Sequence, residues 1–300
     1  MPLTLRQIGP GFVAEASGLD LTEPLTPEDI AAIHVGMDEH AVLVFHDQHF
    51  TNDRQLSFTQ SLGPIELDFA SSLRKPDRLP STFADVSNLD KDGRTLARTD
   101  LKRLYNLGNQ LWHSDSSFKV VPAKYSLLSA RSVTSRGGNT EFADMRQAWE
   151  SLDADIQALC EPLVCEHSRF HSRARLGFTI ADYTAADAAT IRPVLQRLVR
   201  THPGSGRRSL FLSAHAGKIV GWPEPEAKAF LMDLTEHATQ RERTYSHTWR
   251  PGDLVVWDNR CTMHRARPYP HDEARDMRRT TLAGDGPTVE DQGSWGEAAA

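Results

Sequence analysis

The last third of the chain most constrains the fold. Four strand-like runs stand close together there: Thr244–Trp249, Asp253–Trp257, Cys261–Arg267 and Arg275–Leu282. Gly252-Asp253 and Asp258-Asn259 supply turns between them. Further upstream, Ala41–Phe45 is short and uniformly apolar and reads as a buried strand. Tyr125–Ala130 and Ser209–Leu212 read as strands, and Asn139–Asp144 as extended chain after a turn at Gly137-Gly138. Helices are expected after Thr26, where Pro27, Glu28 and Asp29 suit a helix start, and after Thr51, with Gly63-Pro64 as the stop. Further helices are expected over about 146–161, 184–198 and 224–239. Helices and strands do not alternate as βαβ units, so the chain reads as mainly β with helices, an antiparallel core decorated by helices.

Within that frame the stretch Leu111–Phe118 carries chemistry. Read as a strand, it puts His113 and Asp115 on one face and Ser114 on the other. An imidazole and a carboxylate side by side are two-thirds of a facial triad for non-heme Fe(II). A jelly roll can carry such a site in its mouth. The third ligand should be a histidine from far along the chain. Thirteen histidines make a downstream one expected in any case. His264 stands out by context, because it lies on the strand Thr262–Ala266 just past the turn Asp258-Asn259-Arg260.

Arg275 and Arg279 lie four apart on the following strand, on one face and about 13 Å apart along the backbone. Two inward arginines near a metal would need anions to pair with, and arginine suits bidentate recognition of carboxylates. Surface arginines paired with Asp272, Glu273 or Asp276 fit the pattern equally well. His167 and His171 are spaced for one helical face, but Ser168, Arg169, Ser172 and Arg173 around them read as an exposed or loop segment. The chain has no G-x-S-x-G, no P-loop, no dinucleotide-binding glycine motif and no H-E-x-x-H helix.

A net charge of −6 gives no reason to expect nucleic acid or an anionic membrane as partner. Three cysteines without a C-x-x-C pair suit reduced thiols in a cytoplasmic protein. No signal-peptide run or membrane-length apolar stretch is present. A homo-oligomer is compatible with the sequence. Residues 65–108 are irregular, with one short strand at Phe83–Val86, and read as a lid-like segment leading into His113. Residues 284–300 read as a frayed tail, leaving 1–283 as one domain.

These residues resemble the taurine/2,4-dichlorophenoxyacetate dioxygenase family of Fe(II)/2-oxoglutarate-dependent enzymes, most of all its 2,4-dichlorophenoxyacetate branch. The resemblance is carried by Leu43-Val44-Phe45, Asn109–Phe118, Gly138–Arg146, Arg200–Arg207, Glu236–Glu242 and Trp257–Arg265. It runs from about residue 10 to about residue 283. It implies a double-stranded β-helix (jelly roll) core. It also implies that His113, Asp115 and His264 bind Fe(II), and that Thr140 and Arg275 hold the distal carboxylate of 2-oxoglutarate. Arg279 would meet the carboxylate or sulfonate of the substrate, with Asn109, His202 and His215 nearby. In the 65–95 region the family's lysines have only Lys75 and Arg94 as approximate counterparts.

The activity implied consumes O2 and 2-oxoglutarate, yields succinate and CO2, and hydroxylates the carbon next to an aryl ether oxygen of an aryloxyalkanoate. A phenol and glyoxylate or another oxo acid follow. A sulfonate or alkyl-sulfate dioxygenase is the alternative within enzymes, and a non-catalytic cupin-like metal-binding protein the alternative outside them.

Overall fold

The structure is a computed structural model that describes residues 2–68, 73, 78–188 and 191–293. Its largest sheet has seven strands in the order Thr4–Gln7, Val13–Ser17, Val42–Phe45, Leu254–Asp258, Tyr125–Ser132, Asp276–Thr281, Ala84–Asp85. All neighbours are antiparallel except Val13–Ser17 and Val42–Phe45, which are parallel. A three-stranded antiparallel sheet, Thr244–His247, Thr140–Asp144 and Thr262–Ala266, faces it.

The period of two along each strand sorts side chains into layers. Val42, Val44, Val255 and Trp257 point between the sheets and meet Phe142 of the smaller sheet. Leu43, Phe45, Leu254 and Val256 point the opposite way, onto Ile33, Met37, Phe58 and Leu62 of the helices Pro27–His40 and Asn52–Leu62. Both faces of these strands are therefore buried, which is why Val42–Phe45 is apolar throughout. Behind the smaller sheet, Ala143 and Met263 pack on Met145, Trp149, Leu231 and Leu234. The order is helices, large sheet, small sheet, helices. Thr26 caps its helix with a reciprocal capping box to Asp29, and Thr51 caps the next by accepting from the Arg54 amide.

Several local expectations change. The stretch around His113 is not a strand. His113 forms a single antiparallel bridge with His264, and residues 115–118 then turn, with Ser116 at a φ of 54°. Serine donors at 114 and 116 satisfy this turn: Ser114 Oγ donates to the Thr262 carbonyl and Ser116 Oγ to Glu66. The helix expected over 184–198 is one turn, Ala185–Ala188, followed by the strand Val194–Arg197. Pro193 cannot continue a helix, and the strand pairs with Val164–His167. The segment 146–161 divides into Met145–Glu150 and Ala154–Cys160. Inside 65–108 a short helix, Leu101–Asn106, is capped by Asp100. The described part of the tail is docked, not frayed: Val289 packs on Val164 and Leu195, and Gln292 bonds to the Leu195 backbone.

Candidate active site

The antiparallel bridge between His113 and His264 is closed by two backbone hydrogen bonds, 3.0 and 2.8 Å. It sets the two imidazoles with centroids 4.2 Å apart. The turn after His113 returns the Asp115 carboxylate to them: His113 Nε2 lies 3.8 Å from Oδ1 and His264 Nε2 3.7 Å from Oδ2. All three residues are buried. They form one of two groups among the described residues whose ligand atoms lie within 4.8 Å of one another.

The surroundings fix their orientation and protonation. His113 Nδ1 donates to the Leu111 carbonyl at 2.7 Å, which leaves Nε2 as the free ligand atom. Burial pushes the pKa of His113 down and that of His264 well down, so both imidazoles are neutral. Burial alone would raise the Asp115 carboxyl, but the Arg279 guanidinium, with the Ser126 hydroxyl, holds it below the usual carboxylate range. Asp115 Oδ2 accepts from Ser126 Oγ at 2.7 Å, and the Asp115 amide donates to Asn259 Oδ1. Asn259 is held in turn by Trp257 Nε1. Two neutral imidazoles and one ionised carboxylate are the donor forms that a divalent cation requires. The residues fit an Fe(II) facial triad.

Two spaces lined by arginine adjoin the triad. Arg275 is 3% exposed and pairs with no carboxylate among the described residues. It donates to the carbonyls of Val86 and Gly138 and lies 5.1 Å from the Tyr269 ring. Burial lowers its pKa. Thr140, also buried, accepts from Trp249 Nε1 at 2.9 Å, so its own hydroxyl proton is free for another acceptor. Thr140, Arg275 and His264 line one small enclosure. The other side of the triad is a cavity of about 50 Å³ lined by Phe118, Arg169, Arg173, His215 and Arg279 among others.

Of the substrate-side candidates, Asn109 and His215 line this cavity. The His215 ring meets His113 and Phe118 edge-on. His202 is not brought there. It is buried elsewhere, with Nε2 2.9 Å from Asp258, which also binds Arg260. The tight turn after Thr201 points its side chain into the core, and the Ser205 amide bonds back to Nδ1. Arg94 sits on an exposed turn closed by Asp90, and Lys75 lies outside the described residues.

Sequence reading missed Arg169 and Arg173, which lie one turn apart on the helix Arg169–Ala174 and reach the cavity together. Their i, i+4 spacing was the available signal. The segment expected to be exposed is thus largely buried, with His167 at the end of a strand. Gly108 makes room for Arg173, because a methyl there would run into the guanidinium.

A family model described as taurine catabolism dioxygenase TauD, TfdA family matches residues 4–281. The chain is 43% identical over 286 residues to an alpha-ketoglutarate-dependent 2,4-dichlorophenoxyacetate dioxygenase of Cupriavidus pinatubonensis, covering 95% of this chain and 99% of that one. It is 37% identical over 253 residues to an (S)-phenoxypropionate/alpha-ketoglutarate-dioxygenase of Sphingobium herbicidovorans, covering 82% and 83%. The crystal structure of AAD-2 in complex with Mn(II) and N-oxalylglycine superposes with a TM-score of 0.93 at 53% identity, covering 96% of this chain and all of that one.

Proposed function

The chain belongs to the taurine catabolism dioxygenase TauD, TfdA family, and from that premise we propose which of its residues carry the reaction and on what substrate. It is an Fe(II)- and 2-oxoglutarate-dependent dioxygenase that hydroxylates an aryloxyalkanoate at the carbon next to the ether oxygen. His113, Asp115 and His264 hold the iron. Thr140 and Arg275 hold the distal carboxylate of 2-oxoglutarate. Arg279 meets the substrate carboxylate, and Asn109 and His215 border the substrate. Residues 1–283 work as one domain on a double-stranded β-helix, with the facing sheets as its two halves.

The observation that carries this reading is a buried arginine, Arg275, and a half-buried one, Arg279, beside one His–Asp–His cluster. Iron and 2-oxoglutarate supply the oxygen activation, one oxygen atom ending in succinate and the other on the substrate carbon. The chain's own residues do the rest. His113 is locked in its tautomer by Leu111, and Asp115 is held ionised and oriented by Ser126 and Asn259. In an aryloxyacetate the carboxylate is one bond from the reacting carbon, so its anchor should stand beside the residues that would hold the metal, as Arg279 does beside Asp115. The hydroxylated product is a hemiacetal, which breaks at the ether bond to give a phenol and glyoxylate.

The test is anaerobic reconstitution with Fe(II) and 2-oxoglutarate, then oxygen with aryloxyacetates, each hand of 2-aryloxypropionates, or taurine. Succinate and phenol should form together with an aryloxy acid. Succinate formed only with taurine would overturn the substrate assignment.

A further inference from the structure

A cavity of about 450 Å³ opens between the helix Leu101–Asn106 and the loop Pro268–Asp272. Its charged lining is lopsided: Arg98, Arg103, Arg136 and Arg275 against Asp272, with His271 beside them. Arg98 and Arg136 are exposed at the surface end, Arg103 is half-buried, and Arg275 is buried at the inner end. Arg98 donates to His271 Nδ1 at 3.2 Å, which makes that ring an acceptor, and the Asp272 side chain is 77% exposed and turned to solvent. The guanidinium series therefore runs from solvent inward with little to neutralise it.

The cavity abuts the active site at one edge. Val86, Asn109, Ala266 and Arg275 line both it and the enclosure that holds Thr140 and His264. The substrate-side cavity with Arg169, Arg173 and Arg279 is a different space, sharing only Val86, Asn106 and Asn109 with it. The loop wall is held in place by glycine: Gly137, at a φ of 69°, lies so close to the Pro268 carbonyl that a side chain would collide with it.

We propose that this basic cavity is a passage by which the dicarboxylate co-substrate reaches Arg275 and its dicarboxylate product leaves, separate from the space that takes the aryl acid. This rests on the reading of Arg275 as the co-substrate anchor. A cleft lined by one sign of charge focuses the field and raises the local concentration of the opposite ion. A dianion gains about twice the attraction of a monoanion in the same field.

The test is rapid mixing of the full chain, loaded with Mn(II), with N-oxalylglycine, the non-reacting analogue. Trp249, on Thr140, and Trp257, in the enclosure wall, provide the fluorescence signal. In the variant Arg98→Glu with Arg136→Glu, the association rate should fall about tenfold at low ionic strength. The difference should shrink with added salt, and the dissociation rate should move less than about twofold. Phenoxyacetate association to the loaded enzyme should stay near wild type. An unchanged association rate for N-oxalylglycine overturns the proposal, as does equal slowing of phenoxyacetate. Arg275→Ala separates the two readings. Lost equilibrium binding of N-oxalylglycine supports the anchor. Wild-type binding removes the anchor, and the passage is then judged by the surface variant's rates alone.

Discussion

Arg279 Nη1 donates to Oδ1 of Asp115 at 2.5 Å, so one guanidinium ties the strand Asp276–Thr281 to the turn that carries the carboxylate ligand. With Ser126 on the other oxygen, Asp115 is held from two sides before any cation arrives. Arg279 Nε is buried without a hydrogen-bond partner among the described residues, which leaves it a donor for a second anion.

Asp115→Ala should abolish iron-dependent succinate formation while far-ultraviolet circular dichroism stays native. The loss should exceed the roughly 10–100-fold that partners outside the ligand set are worth. Equilibrium dialysis with Mn(II) gives an independent readout, and wild-type metal retention would contradict the triad.

Arg279→Ala should raise KM for the aryloxy acid roughly ten- to hundredfold, the value of a charge-assisted hydrogen bond of about 1.5–3 kcal/mol. KM for 2-oxoglutarate should move far less. Steady-state kinetics with each substrate varied in turn decides it, and the reverse pattern would mean that Arg275 and Arg279 exchange roles.

Trp249→Phe removes the donor that directs the Thr140 hydroxyl. KM for 2-oxoglutarate should rise a few-fold, as expected for the loss of about 1 kcal/mol. KM for the aryl acid should hold, because Trp249 does not line the substrate-side cavity.

His167 concerns stability. It is fully buried, stacked on Phe211, and neither ring nitrogen has a hydrogen-bond partner among the described residues. Burial first, then His171, pushes its pKa from 6.5 down to about 3. The unfolded chain therefore takes up this proton below pH 6.5 and the folded one does not. Stability from this group is intact above pH 6.5 and declines toward pH 3, by about 1.4 kcal/mol per pH unit at most. His167→Phe should flatten that part of the acid limb in urea titrations taken at several pH values. An unaltered slope would show that the proton is taken up elsewhere.

What was legible in the sequence was local. Thr26 and Thr51 cap their helices because the cap bond spans only three residues. The strands of the last third follow from patterning, and His264 sits on one of them as expected. Pro193 carried a warning against a helix over 184–198 that apolar periodicity obscured. The turn after His113 was hidden because its partners, Glu66, Asn259 and Thr262, are far away in the chain.

The sequence by itself determined the donor set: a His-x-Asp pair, a distal histidine, and two arginines four apart. Tertiary structure decided which charge meets which. It tied Arg279 to Asp115, left Arg275 without a carboxylate among the described residues, and sent His202 to Asp258 instead of the cavity. It also brought Arg169 and Arg173 to the substrate side and aligned Arg98, Arg136 and Arg275 along a separate space. The physical reason is range. Caps and strand periodicity are set within a few residues, whereas the partner of a buried charge is fixed only when sheet pairing brings distant segments together.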